Sequence, residues 1–252
     1  MLGDILANEA YGYVLVSIRL TALVMLVPIF GDRSVPQRVR IGLGLTVSFV
    51  VYSSIRNQLP AMPETIFALV SLFAREALIG MTMALMMRFL MSAMHTAGTV
   101  ISFQTGLAAA RAFDPAQGQQ SAVVAAFLNL IAITLILVTD LHHLMIQGMA
   151  YSFAKFPIGE TLLMADFATN ATLLVASSFA LGFQIAAPFL VYGLIYNLGL
   201  GLLARMVPGF QVFFVGMPLN ILMGFVLFSL LMGSIMSLFL SRFEELLMAI
   251  IS

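Results

Sequence analysis

The sequence predicts an all-α integral membrane protein of about six apolar segments, arranged as broken helices and helical hairpins. Hydrophobic residues make up 62% of the 252 and charged residues 9%, against roughly 45–50% and about 25% in soluble domains. The apolar residues fall in runs long enough to cross about 30 Å of hydrocarbon. Prolines and glycines interrupt those runs where a plain span gains nothing from them. A mean hydropathy of +1.08 leaves too few polar residues to cover a soluble core.

Charge and cysteine content exclude several classes. Eleven basic and eleven acidic residues give zero net charge, and the basic ones form no stripe, so nucleic acid is not a partner. The absence of cysteine excludes disulfide frameworks and thiolate metal sites. Asp4 and Glu9 precede the first basic residue, Arg19, so the start lacks the basic region of a cleavable signal, and the first apolar segment is expected to remain. No repeat, low-complexity tract or linker divides the chain, and residues 1–252 read as one membrane domain.

The first span runs from Ala10 to Phe30 and ends at Pro28 and Gly31, with Arg19 near its middle. An arginine at that depth costs about 2.5–3.5 kcal/mol on insertion scales, so it is expected to face protein or water. A polar elbow carrying Arg33, Arg38 and Arg40 follows, and a shorter run continues to Ile55. Past Pro60 and Pro63, Ile66 to about Ala110 is too long for one span and predicts a helical hairpin or a long bent helix. Gly98, Ser102, Gly106 and Ala110 recur there every four residues, a row that lets helices approach closely. Ser229, Gly233, Ser237 and Ser241 repeat the device.

Between Gly106 and Gln120, GLAAARAFDPAQGQQ predicts an ordered loop, with Asp114 and Pro115 favouring a turn. Ser121 to Val138 reads as a clean span. A mixed segment containing His142, His143 and Pro157 follows, then a run from Ala171 to Ala204 broken at Pro188, then a last span from about Val212 to Ser241 and a short acidic tail. The basic residues of the expected loops place Arg33, Arg38, Arg40, Arg88, Arg111 and Arg205 on the cytoplasmic side and Arg56, Lys155 and Arg242 on the other, which puts the N-terminus outside.

The stretch Asn197 to Phe225 organises the rest. Gly199, Gly201, Arg205, Pro208, Gly209, Gly216 and Pro218 together predict two helices meeting at a tight break, tolerated in lipid only under a cover of protein.

Reactive chemistry is sparse. Gly199 to Ala204 fits a G-x-G-x-x-A string, but it lies in an apolar helix with no preceding strand and no acidic partner, so it predicts packing and no nucleotide. His142 and His143 point about 100° apart on a helix and lack further ligands nearby in sequence. Arg75 and Glu76 sit inside an apolar run, where Glu76 is placed to pair with Arg19 as a structural lock; a proton relay is the other reading of such a pair. No nucleophile elbow is present, and the chain is expected to be no enzyme and to carry no cofactor or metal. Eighteen methionines and twenty-one phenylalanines supply adaptable apolar surface.

These residues resemble the FliR family of flagellar biosynthetic proteins, called SctT in injectisomes. The likeness runs nearly the whole length. It rests on Arg19 and PIFG at Pro28 to Gly31, VPQRVRIGL from Val35, EALIG from Glu76, Ala97-Gly98 with FQTGLAAA from Phe103, Asp114-Pro115, LHHLMI from Leu141, SFAKFP ending at Pro157, IAAP ending at Pro188, and LGLGLLARMVP followed by VFFVGMPL. The adjacent histidines and the SFAKFP string look flagellar. One departure stands out: where the family has Pro-Gln-x-Asn, this chain has Pro208, Gly209, Phe210 and Gln211.

The resemblance implies an export-gate subunit of the bacterial inner membrane at the flagellar basal body. It implies co-assembly with FliP-like and FliQ-like subunits in a closed hetero-oligomeric ring that works with FlhB-like and FlhA-like proteins and exports unfolded flagellar proteins. The family's plug loop corresponds to about Gly106 to Gln120, with Phe113 as its large apolar side chain, Arg111 and Asp114 placed to pair, and Gly118 free to move. An injectisome gate subunit, a secondary transporter or channel using Arg19, Arg75 and Glu76, and a plain scaffold are the rival readings.

Overall fold

Each apolar run of the sequence becomes a helix in the computed structural model, which describes residues 2–31, 35–108, 123–159, 164–207 and 212–251. The helices are α1 (Leu2–Leu26), α2 (Gln37–Ile55), α3 (Ile66–Gln104), α4 (Val123–Val138), α5 (Leu141–Lys155), α6 (Met164–Met206) and α7 (Val212–Ile251), with a short 3-10 turn at Arg56–Gln58. No strand occurs among the described residues.

Five of these helices are long and apolar enough to cross a membrane, and α4 with α5 make a sixth candidate only as a pair broken at Thr139–Asp140. Asp140 sits at the break in the left-handed region, φ 59. Helices α3, α6 and α7 have 39, 43 and 40 residues. At 1.5 Å per residue each is roughly 60 Å long, about twice the hydrocarbon thickness.

Several expectations change. Of the two expectations for the run from Ile66, a hairpin or one long helix, the structure gives the long helix, Ile66–Gln104. The run expected to break at Pro188 is continuous, because α6 passes through that proline and α7 likewise passes through Pro218. A proline deletes one backbone hydrogen bond of a long helix, a loss that membrane helices tolerate. The next residue, Phe189, is fully buried and packs its ring 6.2 Å from that of Phe228, so side-chain packing holds α6 just past the proline. The tail expected after Ser241 is also helical. Phe239, Phe243 and Leu247, spaced four apart, are all fully buried, which carries the apolar face of α7 through Glu244 and Glu245. Of the expected span from Ser121 to Val138, the described residues Val123–Val138 form α4, and Ser121 lies outside the described residues.

Contacts group the chain into two units. The first comprises Met1–Leu90, Thr139–Val175 and Glu245–Ser252, and the second Met91–Val138 and Ala176–Glu244. In the first unit α1 is the central element. Leu15, Leu20, Leu23, Ile79, Met83 and Met145 are sealed in the core. Gly80 lets α3 lie against α1 so closely that a Cβ would overlap the Arg19 carbonyl oxygen. Gly44 seats α2 on Thr21 in the same way, with a Cβ 3.0 Å from the Thr21 Cα.

In the second unit α3 is gripped through small residues. A Cβ on Gly98 would overlap the backbone of Ala125 in α4, and one on Gly182 would stand 3.0 Å from the Ala93 carbonyl oxygen. Apolar side chains gain nothing from leaving lipid for protein, so such close backbone approaches supply the dispersion contacts that join membrane helices.

Candidate functional site

The largest fully buried polar side chain of the first unit is Arg19. It lies on α1 with no exposed surface, opposite Glu76 of α3, which has none either. The guanidinium gives Nε to Glu76 Oε2 at 2.6 Å, and Nη2 lies 2.5 Å from the same oxygen. Its other donors go to the end of α5: Nη1 to the Ser152 carbonyl at 2.9 Å and Nη2 to the Phe156 carbonyl at 2.9 Å. The Phe153 ring lies 4.2 Å beneath the guanidinium carbon.

This arrangement follows from helix physics. The last carbonyls of a helix have no partner within it and carry the negative end of its dipole, so a cation there is stabilised. Arg75 adds a second cation, giving Nη2 to the Pro157 carbonyl at 3.2 Å. Arg19 therefore ties three helices, α1, α3 and α5, at one point. A charge this deep needs an opposite charge and satisfied donors, and Arg19 has both.

The second unit holds a polar clamp where α3 ends. The helix stops at Gln104, and Gly106 turns the chain at φ +75, a conformation that glycine adopts without strain. Asn220 of α7 gives its Nδ2 to the Gln104 carbonyl at 3.3 Å and receives the Tyr192 hydroxyl of α6 on Oδ1 at 2.6 Å. Gly193 and Gly224 make room: a Cβ on the first would overlap the Gln104 side chain, and one on the second would stand 2.6 Å from Thr105. Two longer helices thus grip the last residues before the expected plug loop.

Of the residues that the sequence singled out, the structure brings Arg19, Arg75 and Glu76 together. Gly98 and Ser102 are buried, with Gly98 turned to α4 of the same chain. Gly106 faces Asn220, 3.1 Å from the position of a Cβ to Nδ2, and so leaves the helical row. Gly233 and Ser237 are exposed. Among the described residues, nothing lies within 4 Å of a Cβ on Gly233, Gly199 or Gly201. Arg205 is exposed in the last turn of α6, and Pro218 is exposed within α7. Arg111, Phe113, Asp114, Pro115, Gly118 and Pro208 lie outside the described residues, as does Ala110.

The clamp residues Gln104, Tyr192, Gly193, Asn220 and Gly224 were not singled out from the sequence. Asn220 and Tyr192, polar groups inside apolar runs, were the available signal. A third polar group sits at the start of α5. Asp140, His142 and His143 hold one ligand atom each within 4.8 Å of one another, with the His143 Nδ1 3.4 Å from the Asp140 carboxylate. No further His, Cys, Asp or Glu joins them among the described residues.

Residues 10–246 match the family of bacterial export proteins, family 1. The chain belongs to the FliR family. It is 36% identical over 241 residues to the flagellar biosynthetic protein FliR of Caulobacter vibrioides, covering 96% of both chains. It is 36% identical over 221 residues to FliR of Pectobacterium carotovorum, covering 85% of this chain and 82% of the relative. It is 33% identical over 217 residues to Escherichia coli FliR, again covering 85% and 82%. As a FliR-family protein with this set of apolar helices, it is a multi-pass membrane component of the flagellar export apparatus.

Proposed function

We propose that the chain, as one export-gate domain over residues 1–252, is a non-enzymatic subunit of the gate through which unfolded flagellar proteins leave the cell. It sits in the bacterial inner membrane at the basal body. There it assembles with FliP-like and FliQ-like subunits into a ring that works with FlhB-like and FlhA-like proteins. The stretch Gly106 to Gln120 is its plug, with Phe113 as the bulky seal.

The observation that carries this reading is the clamp of Asn220 on Gln104, immediately before that stretch. A loop that closes a pore must move while its root stays fixed, and the root here is held by hydrogen bonds and glycine-mediated contacts from α6 and α7. Supporting it, α3, α6 and α7 exceed the bilayer thickness about twofold, which suits a gate whose helices stack on other subunits beyond the lipid. The buried Arg19 is committed to Glu76 and to two carbonyls, the pattern of a lock and not of a transporter's coupling residue.

The test is the composition of the complex. A tagged chain, extracted from membranes in mild detergent, should bring down two other small membrane proteins in a ring. A monomer or homodimer alone, stable and free of partners, contradicts the proposal.

A further inference from the structure

We propose that Asp140, His142 and His143, at the start of α5, bind a divalent transition-metal ion of the zinc class, each giving one ligand atom while water fills the remaining positions. On a regular helix the two adjacent rings diverge by about 100° and make a poor pair of ligands. The turn that opens α5 changes this. The His143 amide donates to the Asp140 carbonyl at 2.9 Å, which brings residues 140 and 143 together, and the two imidazole rings come to 4.1 Å between centroids. One ligand atom from each residue then lies within 4.8 Å of the other two.

Distances and unmet bonding both point to an ion. Zinc takes imidazole nitrogen and carboxylate oxygen at about 2.0–2.2 Å, so two donors of a tetrahedral site stand about 3.3–3.6 Å apart. The His143 Nδ1 is 3.4 Å from the Asp140 Oδ1, a separation that suits a shared cation and is long for a hydrogen bond, whose usual limit is about 3.2 Å. Asp140 holds the N-cap position without giving its side chain to the helix, so capping does not engage its carboxylate. The second observation is His142 Nδ1, which is buried and has no hydrogen-bond partner among the described residues. A buried ring nitrogen left unpaired calls for a partner, and a neutral imidazole can offer a lone pair there to a metal.

The donor set selects the class of ion. Calcium and magnesium take oxygen ligands, whereas imidazole suits zinc, nickel and copper. Asp140 and His143 are mostly exposed, so an ion can reach them from water and keep water ligands. The positive end of the α5 dipole works against a cation, and the carboxylate beside the ion offsets that charge. A bound ion fixes the first turn of α5, while Arg19 holds its other end through the Ser152 and Phe156 carbonyls. This site needs only one turn of the chain and is independent of the gate reading.

Zinc alone is the probe, and the sample is the assembled complex, purified without a histidine tag, stripped with a chelator and titrated against a chromophoric competitor. Other subunits can bind zinc too, so variants assign the site. Binding of one ion per copy of this chain should be weakened at least about tenfold by His142→Ala, His143→Ala or Asp140→Asn. The asparagine keeps a backbone that tolerates the φ of 59 at this position. His95→Ala, which removes the remaining histidine of the chain, should change nothing. Saturating zinc should also raise the melting temperature of the unsubstituted complex and not that of His143→Ala. If the variants do not assemble, modification of the unsubstituted complex by diethyl pyrocarbonate decides, read by mass spectrometry: zinc should protect His142 and His143 and leave the reactivity of His95 as it was. Zinc that is not bound, that binds indifferently to the three variants, that is lost equally with His95→Ala, or that protects neither His142 nor His143 overturns the site.

Discussion

Arg19 and Glu76, fifty-seven positions apart in sequence, meet at 2.5 Å with neither side chain exposed. The two ends of this contact are not equivalent. Glu76 offers one oxygen to the pair, whereas Arg19 also serves the Ser152 and Phe156 carbonyls. Arg19→Leu therefore leaves a buried carboxylate and the Phe156 carbonyl without their donor, and the Ser152 carbonyl with the Phe156 amide alone, a loss of about 3–5 kcal/mol. Glu76→Gln removes the counter-charge but keeps an acceptor facing the guanidinium and both carbonyl bonds, so its cost should fall at the lower end of that range, about 3 kcal/mol. Thermal melting of the purified complex should rank Arg19→Leu below Glu76→Gln. The reverse order would show that Arg19 is not the hub of the three helices.

The two rows of small residues should respond differently. Gly98 is in contact with the backbone of Ala125, so Gly98→Leu must push α3 and α4 apart inside the chain, an overpacking cost of typically 1–3 kcal/mol. The expected outcome is poor accumulation of the protein even when its partners are co-expressed. A Cβ on Gly233 meets none of the described residues within 4 Å, so Gly233→Leu should leave accumulation normal and lower only the yield of ring in a pull-down. Normal ring yield with Gly233→Leu would mean that this face of α7 looks into lipid.

Loosening the clamp should free the root of the expected plug. Asn220→Ala removes the bond to Gln104 and leaves the Tyr192 hydroxyl only the backbone carbonyl of residue 220, 3.1 Å away, a cost of about 1–3 kcal/mol, and Tyr192→Phe should cost nearer 1. Gly106→Ala adds strain from its φ of +75, about 1–2 kcal/mol. Hydrogen exchange of the assembled ring should rise at Gln104 to Ala108 in the order Asn220→Ala above Tyr192→Phe. Unchanged exchange with Asn220→Ala would mean that packing alone, without the clamp, fixes the end of α3.

The helical membrane fold was legible because composition and run length constrain it directly. The meeting of Arg19 with Glu76 was also open to inference, since a cation within an apolar run demands an anion, and Glu76 is the carboxylate of the next long run. Their third helix was hidden. Arg19 bonds backbone carbonyls of Ser152 and Phe156, and a carbonyl has no letter in a sequence. Pro188 misled because proline marks a lost hydrogen bond, and a 43-residue helix packed through Phe189 absorbs that loss. Small residues at every fourth position announced close packing without naming the neighbour. For Gly98 the neighbour is Ala125 of the same chain, and for Gly233 none of the described residues comes within 4 Å of a Cβ. Asn220 escaped notice since one amide in a 40-residue apolar helix has no periodic signature, and its role depends on where α3 stops.

The central claim, that Gly106 to Gln120 closes a pore, is tested most directly by membrane conductance in cells carrying a deletion of Ala110 to Gly118. The ring should still assemble, because the clamp residues Gln104, Tyr192 and Asn220 remain. The account predicts that such cells leak small ions and become sensitive to compounds that are normally excluded. Unchanged conductance in cells whose ring is shown to be assembled would contradict it and leave this stretch as a connection between α3 and α4.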